Sequence, residues 1–112
     1  ALCGTRGWFC EEETGSPHDK KIMARELMRL EASLKAAGDR EKYVFLHYPP
    51  IYGNYVCAEI LELLAAYGVT LCCAGHIHGR GTALRFEGTR AGTRYRLVSA
   101  DFLGFRPLKL AD

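Results

Sequence analysis

The apolar positions of this chain follow two different periods, and these periods indicate where helices and strands should lie. Four apolar residues recur at spacings of four, three and four, which predicts a helix with a single apolar stripe. They are Met23, Leu27, Leu30 and Leu34. Ser16 can cap this helix, with Pro17 at its first position and Asp19 completing a capping box. Gly38 is expected to end it.

Two continuous apolar runs surround a second predicted helix. Residues 43–47 are typical of a strand covered on both faces, and Pro49 stops this strand because proline cannot donate to a sheet. Residues 69–74 form the second run. Between the runs, Asn54 is the expected helix cap and Gly68 the expected helix end. The apolar face of this second helix comprises Ile60, Leu61, Leu64 and Tyr67.

Most of the rest of the chain is expected to be β structure. Residues 1–4 are expected to end a short buried strand. Residues 82–87 and 93–98 alternate partly between polar and apolar, which predicts two strands joined by a hairpin loop at 88–92. The last expected segments are a turn or short extended piece at 99–103 and a terminal strand at 108–110.

The order of these elements has a consequence for chemistry. A strand, a helix and a second strand form a βαβ unit, whose two strands normally lie parallel in one sheet. His47 is at the carboxyl end of the first strand, and His76 lies just past the carboxyl end of the second. Since parallel strands end at the same edge of a sheet, where α/β folds bind ligands, His47, His76 and His78 should converge there.

The spacing of the last two histidines indicates a metal site. In an extended segment, positions i and i+2 share one face, with Cα atoms roughly 6–7 Å apart. Two neutral imidazoles at that separation can reach one metal ion, or one each of two neighbouring ions. Gly75 and Gly79 flank the pair, and each can adopt a positive φ, which allows the backbone to turn sharply beside an ion.

Composition narrows the class of protein. The chain has 112 residues, 48% apolar and 25% charged, which fits one globular domain of ordinary size. A formal net charge of +2 is too small to indicate a nucleic acid or an anionic membrane as partner. The sequence shows neither the basic-then-apolar pattern of a signal peptide nor an apolar run of the roughly 20 residues that span a bilayer. The five cysteines are an odd number, which favours a reducing, cytoplasmic setting over a disulfide framework.

Two motifs resemble a known family. The sequences Phe-Leu-His-Tyr-Pro-Pro at 45–50 and Gly-His-Ile-His-Gly at 75–79 resemble the carboxyl-terminal part of the calcineurin-like metallophosphoesterases. The segment Cys-Gly-Thr-Arg-Gly-Trp at 3–8 also resembles a segment of some bacterial members of that superfamily. The resemblance extends over nearly the whole chain.

The resemblance implies a four-layer αββα sandwich that holds two divalent ions and hydrolyses a phosphoester through a metal-bound hydroxide. His47 would match the family's strand-end histidine and would share the second metal with His76. His78 would serve the first metal. Manganese, iron and zinc all suit imidazole ligands. A dinuclear site lowers the pKa of bound water and stabilises both the attacking and the leaving oxygen.

The chain also departs from the family pattern. The motifs Asp-x-His, Gly-Asp-x-x-Asp and Gly-Asn-His of the family's amino-terminal half do not occur, and the chain has only four aspartates. Three neutral histidines leave the charge of two close dications uncompensated. We therefore expect residues 1–112 to be the carboxyl-terminal portion of a single truncated phosphoesterase domain, inactive without the missing amino-terminal half. Such a piece should expose apolar surface or an unpaired sheet edge and tend to aggregate.

Other residues have competing interpretations. Arg6 and Arg80 can bind phosphate oxygens through paired hydrogen bonds, although exposed arginine is the commoner case. His18 is expected to be solvated. Cys72 and Cys73 suit zinc as thiolates but are more often small buried hydrophobes. Trp8 and Phe9 are expected to pack in the structure rather than to bind substrate.

Two alternative functions remain open at this stage. One is a small non-catalytic α/β module that holds a single structural zinc through His76, His78 and either His47 or a cysteine. The other is a degenerate phosphoesterase half that serves as an interaction scaffold. Metal stoichiometry and phosphatase activity distinguish the hydrolase from both.

Overall fold

The computed structural model describes residues 1–9 and 16–111. In chain order its elements are β1 (Leu2–Thr5), α1 (Pro17–Ala37), β2 (Tyr43–Leu46), β3 (Ile51–Tyr52), β4 (Tyr55–Val56), α2 (Ala58–Ala66), β5 (Leu71–Ala74), a 3₁₀ helix (Gly79–Leu84), β6 (Gly88–Arg90) and β7 (Thr93–Leu97). The acidic stretch at 11–14 lies outside the described residues. Within the described ranges, neither helix is long and apolar enough to cross a membrane.

The main sheet has the strand order β1-β2-β5-β7-β6. Its first four strands pair in parallel, and β6 pairs antiparallel with β7 at one edge. The predicted α/β class and βαβ unit are therefore confirmed. From β1 to β2 to β5 the chain moves in one direction across the sheet, and right-handed crossovers then place both helices on the same face.

The start of α1 is as the sequence predicts. Ser16 accepts a hydrogen bond from the Asp19 amide, and the Asp19 carboxylate accepts one from the Ser16 amide. Gly38, with a φ of 60°, follows the last residue of the helix. The predicted apolar stripe faces the core, although Leu27 is only partly buried.

The predicted cap of the second helix is wrong. Asn54 lies instead in the two-residue turn of a short antiparallel hairpin, β3–β4, next to Gly53 with its φ of 56°. The residues on either side of this turn, Tyr52 and Tyr55, favour strand pairing over a helix start. The helix begins three residues later, with Cys57 in the cap position. Of its predicted apolar face, Ile60 and Leu64 are buried, whereas Leu61 and Tyr67 are partly buried.

One continuous core lies between the helices and the sheet. The sheet contributes the row Cys3, Val44, Cys72 and Tyr95, which are neighbours in register. The helices, the loops and the small hairpin strand β3 contribute Met23, Leu30, Leu34, Ala37, Ile51, Ile60, Leu64 and Val69. Leu30, Leu34 and Leu64 are completely buried. Dense aliphatic packing of this kind supplies most of the favourable free energy of folding.

The opposite face of the sheet is less well covered than the apolar runs predict. β5 is buried on both faces, but Phe45 of β2 is 36% exposed and Leu2 of β1 is 79% exposed. Burial of β2 on both faces is therefore a wrong prediction for the described residues, because α1 and α2 pack on the same side. The predicted tendency to aggregate remains a prediction.

The segment after the histidines also differs from its prediction. The pattern predicts a strand at 82–87, but the 3₁₀ helix extends through the first half of this range, to Leu84, and Arg85 forms only an isolated bridge to Tyr52. One local and one distant hydrogen bond hold this helix: the Thr82 hydroxyl donates to the Gly79 carbonyl, and the Tyr52 hydroxyl, from the β3–β4 hairpin, donates to the Gly81 carbonyl. The glycines at 79 and 81 offer no side chain to pack in a strand.

The predicted hairpin exists but is tighter than expected. β6 and β7 are joined by a two-residue turn at Ala91 and Gly92, both with positive φ, as the right-handed twist of a hairpin favours. The turn predicted at 99–103 is observed at 100–105. No strand forms at 108–110, where the preceding Pro107 cannot donate to a ladder.

Candidate metal centre

Two of the predicted histidines meet at the carboxyl edge of the sheet. β2 and β5 are parallel neighbours with Leu46 opposite Ala74, so the residues that follow them leave the sheet side by side. His47 Nε2 lies 3.1 Å from His76 Nδ1. The convergence of His47 and His76, which are 29 positions apart in sequence, is therefore as the βαβ unit predicts.

The separation of the two nitrogens is compatible with a shared metal ion. Nitrogen ligands lie about 2.0–2.1 Å from zinc, so two nitrogens 3.1 Å apart would both be able to reach one ion. Without an ion, one neutral ring donates its N–H to the other. Partial desolvation lowers the pKa of His76, and the nearby His47 and His78 lower it further, so the neutral, ligand-competent form is favoured.

The backbone turns sharply at this point. His76 has a φ of 68°, a left-handed conformation that costs an L-residue roughly 1–2 kcal/mol. Of the two flanking glycines, Gly79 has the predicted positive φ of 59°, whereas Gly75 does not have one and His76 carries it instead. The Gly75 amide faces the Leu46 and His47 carbonyls at 3.2 Å, which ties the two strand ends together.

A loop from the start of the chain supports His47. The carbonyl of Arg6 accepts hydrogen bonds from the amides of His47 and Tyr48, at 3.0 and 3.1 Å. The Tyr48 ring packs edge-on against His47 and at a tilt against His76, and its other neighbour is Trp8. Trp8 also donates its indole N–H to Asp19, so its predicted packing role agrees with its contacts.

The loop is anchored by a buried carboxylate that sequence reasoning missed. Glu26 of α1 is 1% exposed and accepts hydrogen bonds from the Thr5 hydroxyl and from the guanidinium groups of Arg6 and Arg29. Burial by itself raises the pKa of Glu26, but the Thr5 hydrogen bond and the two arginine charges outweigh it and lower the pKa. The position of Glu26 within the apolar stripe, between Met23 and Leu30, is the feature of the sequence that could have indicated its burial.

His78 has a different partner. Its Nδ1 lies 2.8 Å from Oδ1 of Asp101, which also accepts from the Phe102 amide at 2.9 Å, while Oδ2 accepts from the Gly79 amide at 2.7 Å. The hydrogen bond from the Gly79 amide, and to a smaller extent the one from His78, lower the pKa of Asp101. An ionised carboxylate can only accept, so Nδ1 of His78 carries the proton and Nε2, across the ring, is the nitrogen available as a ligand.

Asp101 was not predicted as part of the site. It follows β7, and β7 is a parallel neighbour of β5, so its end lies at the same edge as His76 and His78. The alternating pattern of 93–98 predicts half of a hairpin and gives no sign of a parallel neighbour. Because β7 is parallel to β5, Asp101 reaches the carboxyl edge for the same reason as His47.

The three predicted ligands do not form one cluster. Among residues 1–9 and 16–111, no group of three or more His, Cys, Asp or Glu side chains is arranged to hold a metal ion. His47 and His76 lie together, whereas His78 contacts Asp101, which is on the turn after β7. Cys72 and Cys73 are buried, and burial raises the pKa of both thiols, so the described geometry favours the hydrophobic role for them.

The two predicted phosphate contacts have different surroundings. The Arg6 guanidinium is bound to Glu26 and lies 4.9 Å from the centre of the Trp8 ring, which favours a structural role. Arg80 is exposed on the 3₁₀ helix, directly after the histidine loop. His18 is exposed at the start of α1, in agreement with its predicted solvation.

Comparison with known proteins gives one informative similarity. The chain is 36% identical over 85 residues to human tartrate-resistant acid phosphatase type 5. The matched region is 69% of this chain and 26% of that protein, so the chain spans about a quarter of the relative's length. No protein-family model matches the chain. Because the relative is a phosphatase, the similarity suggests an origin among phosphoesterases.

Proposed function

We propose that this chain contributes His47, His76 and His78 to the metal site of a phosphoester hydrolase of the calcineurin-like metallophosphoesterase class. The observation that carries the proposal is the 3.1 Å approach of His47 Nε2 to His76 Nδ1 at the carboxyl edge of a parallel sheet. Two imidazoles brought so close, one of them on a left-handed residue, form an arrangement that a cation would stabilise and that packing alone does not require.

The two motifs and the phosphatase similarity support the same class of enzyme. The histidine pair comes from tertiary structure, the two motifs come from local sequence, and the match to an acid phosphatase extends over 69% of the chain. The substrate in this proposal is a phosphoester. The four described cysteines at 3, 57, 72 and 73 are free thiols, which supports a reducing, cytoplasmic setting as part of the proposal.

The residues present fit divalent ions that accept imidazole, namely manganese, iron or zinc. Two such ions, when bound, would activate water and stabilise charge on the phosphoester oxygens. His47 and His76 would share one ion, because their ligand nitrogens already converge. His78 would serve the other ion through Nε2. Arg80 is proposed to contact phosphate oxygens, since its guanidinium is exposed beside the loop.

The remaining ligands are proposed to come from outside this chain. Imidazoles are neutral, so two dications need carboxylates to compensate their charge, and the described residues present no complete ligand group. We propose that an amino-terminal half of the same domain supplies them. A structural zinc module receives less support from this geometry, because a closed structural site needs four ligands.

Replacement of His76 in the full-length protein tests the proposal. The variant His76→Ala and the control His18→Ala would be stripped of metal, replenished with Mn²⁺ or Zn²⁺ and assayed with p-nitrophenyl phosphate. We expect His76→Ala to lose activity at least about 100-fold with reduced metal content, and His18→Ala to retain both. Full activity in His76→Ala after replenishment would refute the proposed function.

A further inference from the structure

The carboxylate beside His78 has a geometry that its position on a turn does not require. Asp101 receives three hydrogen bonds, from the His78 ring and from the amides of Gly79 and Phe102. The two oxygens have different partners: Oδ1 accepts from the His78 ring nitrogen and the Phe102 amide, and Oδ2 accepts from the amide of Gly79, the residue after His78. The ring and the backbone on its carboxyl side are thereby fixed by one group.

We propose that Asp101 is a positioning residue for metal binding, which fixes His78 as the Nδ1–H tautomer and aims its Nε2 at the metal. The inference rests on the proposed function. A carboxylate that binds the distal N–H of a metal-ligating histidine sets its tautomer, orients the ring and raises its basicity. Asp101 is assigned the positioning role and not that of a ligand, because it binds the ring nitrogen of His78 opposite the one that would face the ion.

The fold explains why a distant residue has this role. His78 is on the loop after β5, with its side chain 62% exposed, so packing does not fix its rotamer. Asp101 is on the turn after β7, the parallel neighbour of β5. Leu103 and Phe105 donate their amides to the carbonyls of Ser99 and Ala100, which makes this turn a closed, hydrogen-bonded unit. A rigid turn can therefore orient a side chain on an open loop.

The experiment compares Asp101→Ala, Asp101→Asn and the control Asp39→Ala in the full-length protein. Asp39 is an exposed aspartate in the turn after α1, so its replacement removes the same charge away from the site. The first measurement is the tautomer of His78 in the metal-free protein, from long-range ¹H–¹⁵N spectra. The signal is assigned with His78→Gln. The second is the affinity for Co²⁺, followed by its visible absorption.

We expect the wild-type protein and Asp39→Ala to show His78 protonated at Nδ1. In Asp101→Ala the Nε2–H form, which exposed imidazoles prefer, should predominate, and the Kd for Co²⁺ should rise about 10–100-fold. Asp101→Asn should lie between them, because an amide oxygen can accept from the ring but the amide nitrogen cannot accept from Gly79. If Asp101 only stabilised the fold, the His78 tautomer would be the same in all of these variants.

Other outcomes overturn the inference in distinguishable ways. An unchanged tautomer in Asp101→Ala, or a changed tautomer with unchanged Co²⁺ affinity, would refute the role of Asp101 and leave the proposed function intact. Absence of Co²⁺ binding in the wild-type protein would refute the proposed function, and this inference with it. Circular dichroism of each variant checks that the fold is retained, and Asp101→Asn provides the test if Asp101→Ala does not fold.

Discussion

The helix-covered face of the sheet and the carboxyl edge of the same sheet are built in opposite ways. Beneath the helices, Leu30, Leu34 and Leu64 are completely buried in regular elements. At the edge, the exposed side chains of His76 and His78 lie on a loop with two positive φ angles, followed by a short 3₁₀ helix. The first region is stabilised by burial and the second by a few directed hydrogen bonds.

Because of this contrast, we expect that mutations in the core change the free energy of unfolding, whereas mutations at the edge change metal binding. The edge buries little apolar surface, so its side chains contribute little to folding, and the leucines of the core have no ligand atom for a metal. One side chain connects the two regions: Glu26 lies in the core stripe and binds the loop whose Arg6 carbonyl holds His47. The following predictions test this division.

The largest expected effect on stability is in the core. Leu30→Ala should lower the free energy of unfolding by about 2–5 kcal/mol, because it removes a fully buried side chain and leaves a cavity. Urea unfolding measures this change. Leu84→Ala is the matched control on the 3₁₀ helix, where leucine is 58% exposed, and should change stability by about 0.5 kcal/mol or less. Equal losses in both variants would contradict the proposed division.

Replacement of Glu26 should affect both regions. Glu26→Gln weakens a buried hydrogen-bonded group, and we expect a loss of about 1–3 kcal/mol at pH 7 together with weaker Co²⁺ binding. The folded-state pKa of Glu26 lies below its ordinary value of 4.5. Its stabilising contribution is therefore present above about pH 4.5 and disappears as the pH falls through the folded-state pKa.

Unfolding at pH 7 and at lower pH tests the sign of this dependence. The difference in stability between the wild-type protein and Glu26→Gln should shrink as the carboxylate becomes protonated. Glu31→Gln is the control, because Glu31 forms an exposed pair with Lys35 on the same helix and should change stability little. A difference that grows in acid would show that the carboxylate is not stabilised by its arginine partners.

The left-handed backbone at His76 predicts a smaller effect, in which a glycine is more stabilising than an alanine. His76→Gly should be more stable than His76→Ala by about 1–2 kcal/mol, because glycine adopts a positive φ without strain. Both variants should lose Co²⁺ binding equally. Ala24→Gly, on the exposed side of α1, should instead lose about 1 kcal/mol. Thermal or urea unfolding of the three variants gives the comparison, and a less stable glycine at 76 would contradict it.

The smallest expected effect is at the helix cap. Ser16→Ala removes the acceptor for the Asp19 amide and should cost about 1 kcal/mol of unfolding free energy. Ser16→Asp should retain most of the stability, since aspartate is an equally good cap. Neither variant should alter Co²⁺ affinity. A change in metal affinity on loss of this cap would mean that α1 and the histidine edge are coupled more strongly than Glu26 alone explains.

The sequence predicts part of the candidate site for a clear reason. The positions of His47 and His76 follow from a single βαβ unit, whose parallel register depends on two apolar runs and the helix between them. Local patterning determines such units, so α1, α2, β2 and β5 could be predicted. The segment 79–87 could not, because its 3₁₀ conformation depends on the Tyr52 hydroxyl, which another hairpin delivers to Gly81.

Local sequence patterns account for the α/β class, the capping of α1 and the meeting of two imidazoles at one edge. Long-range packing is needed to place both helices on one face, to anchor the loop beneath His47 through Glu26 and to bring Asp101 to His78. The physical reason is the range of the interactions. Periodicity and capping act within a few residues, whereas Glu26 and Asp101 act through hydrogen bonds to groups about 20 positions away, which packing of the whole sheet brings together.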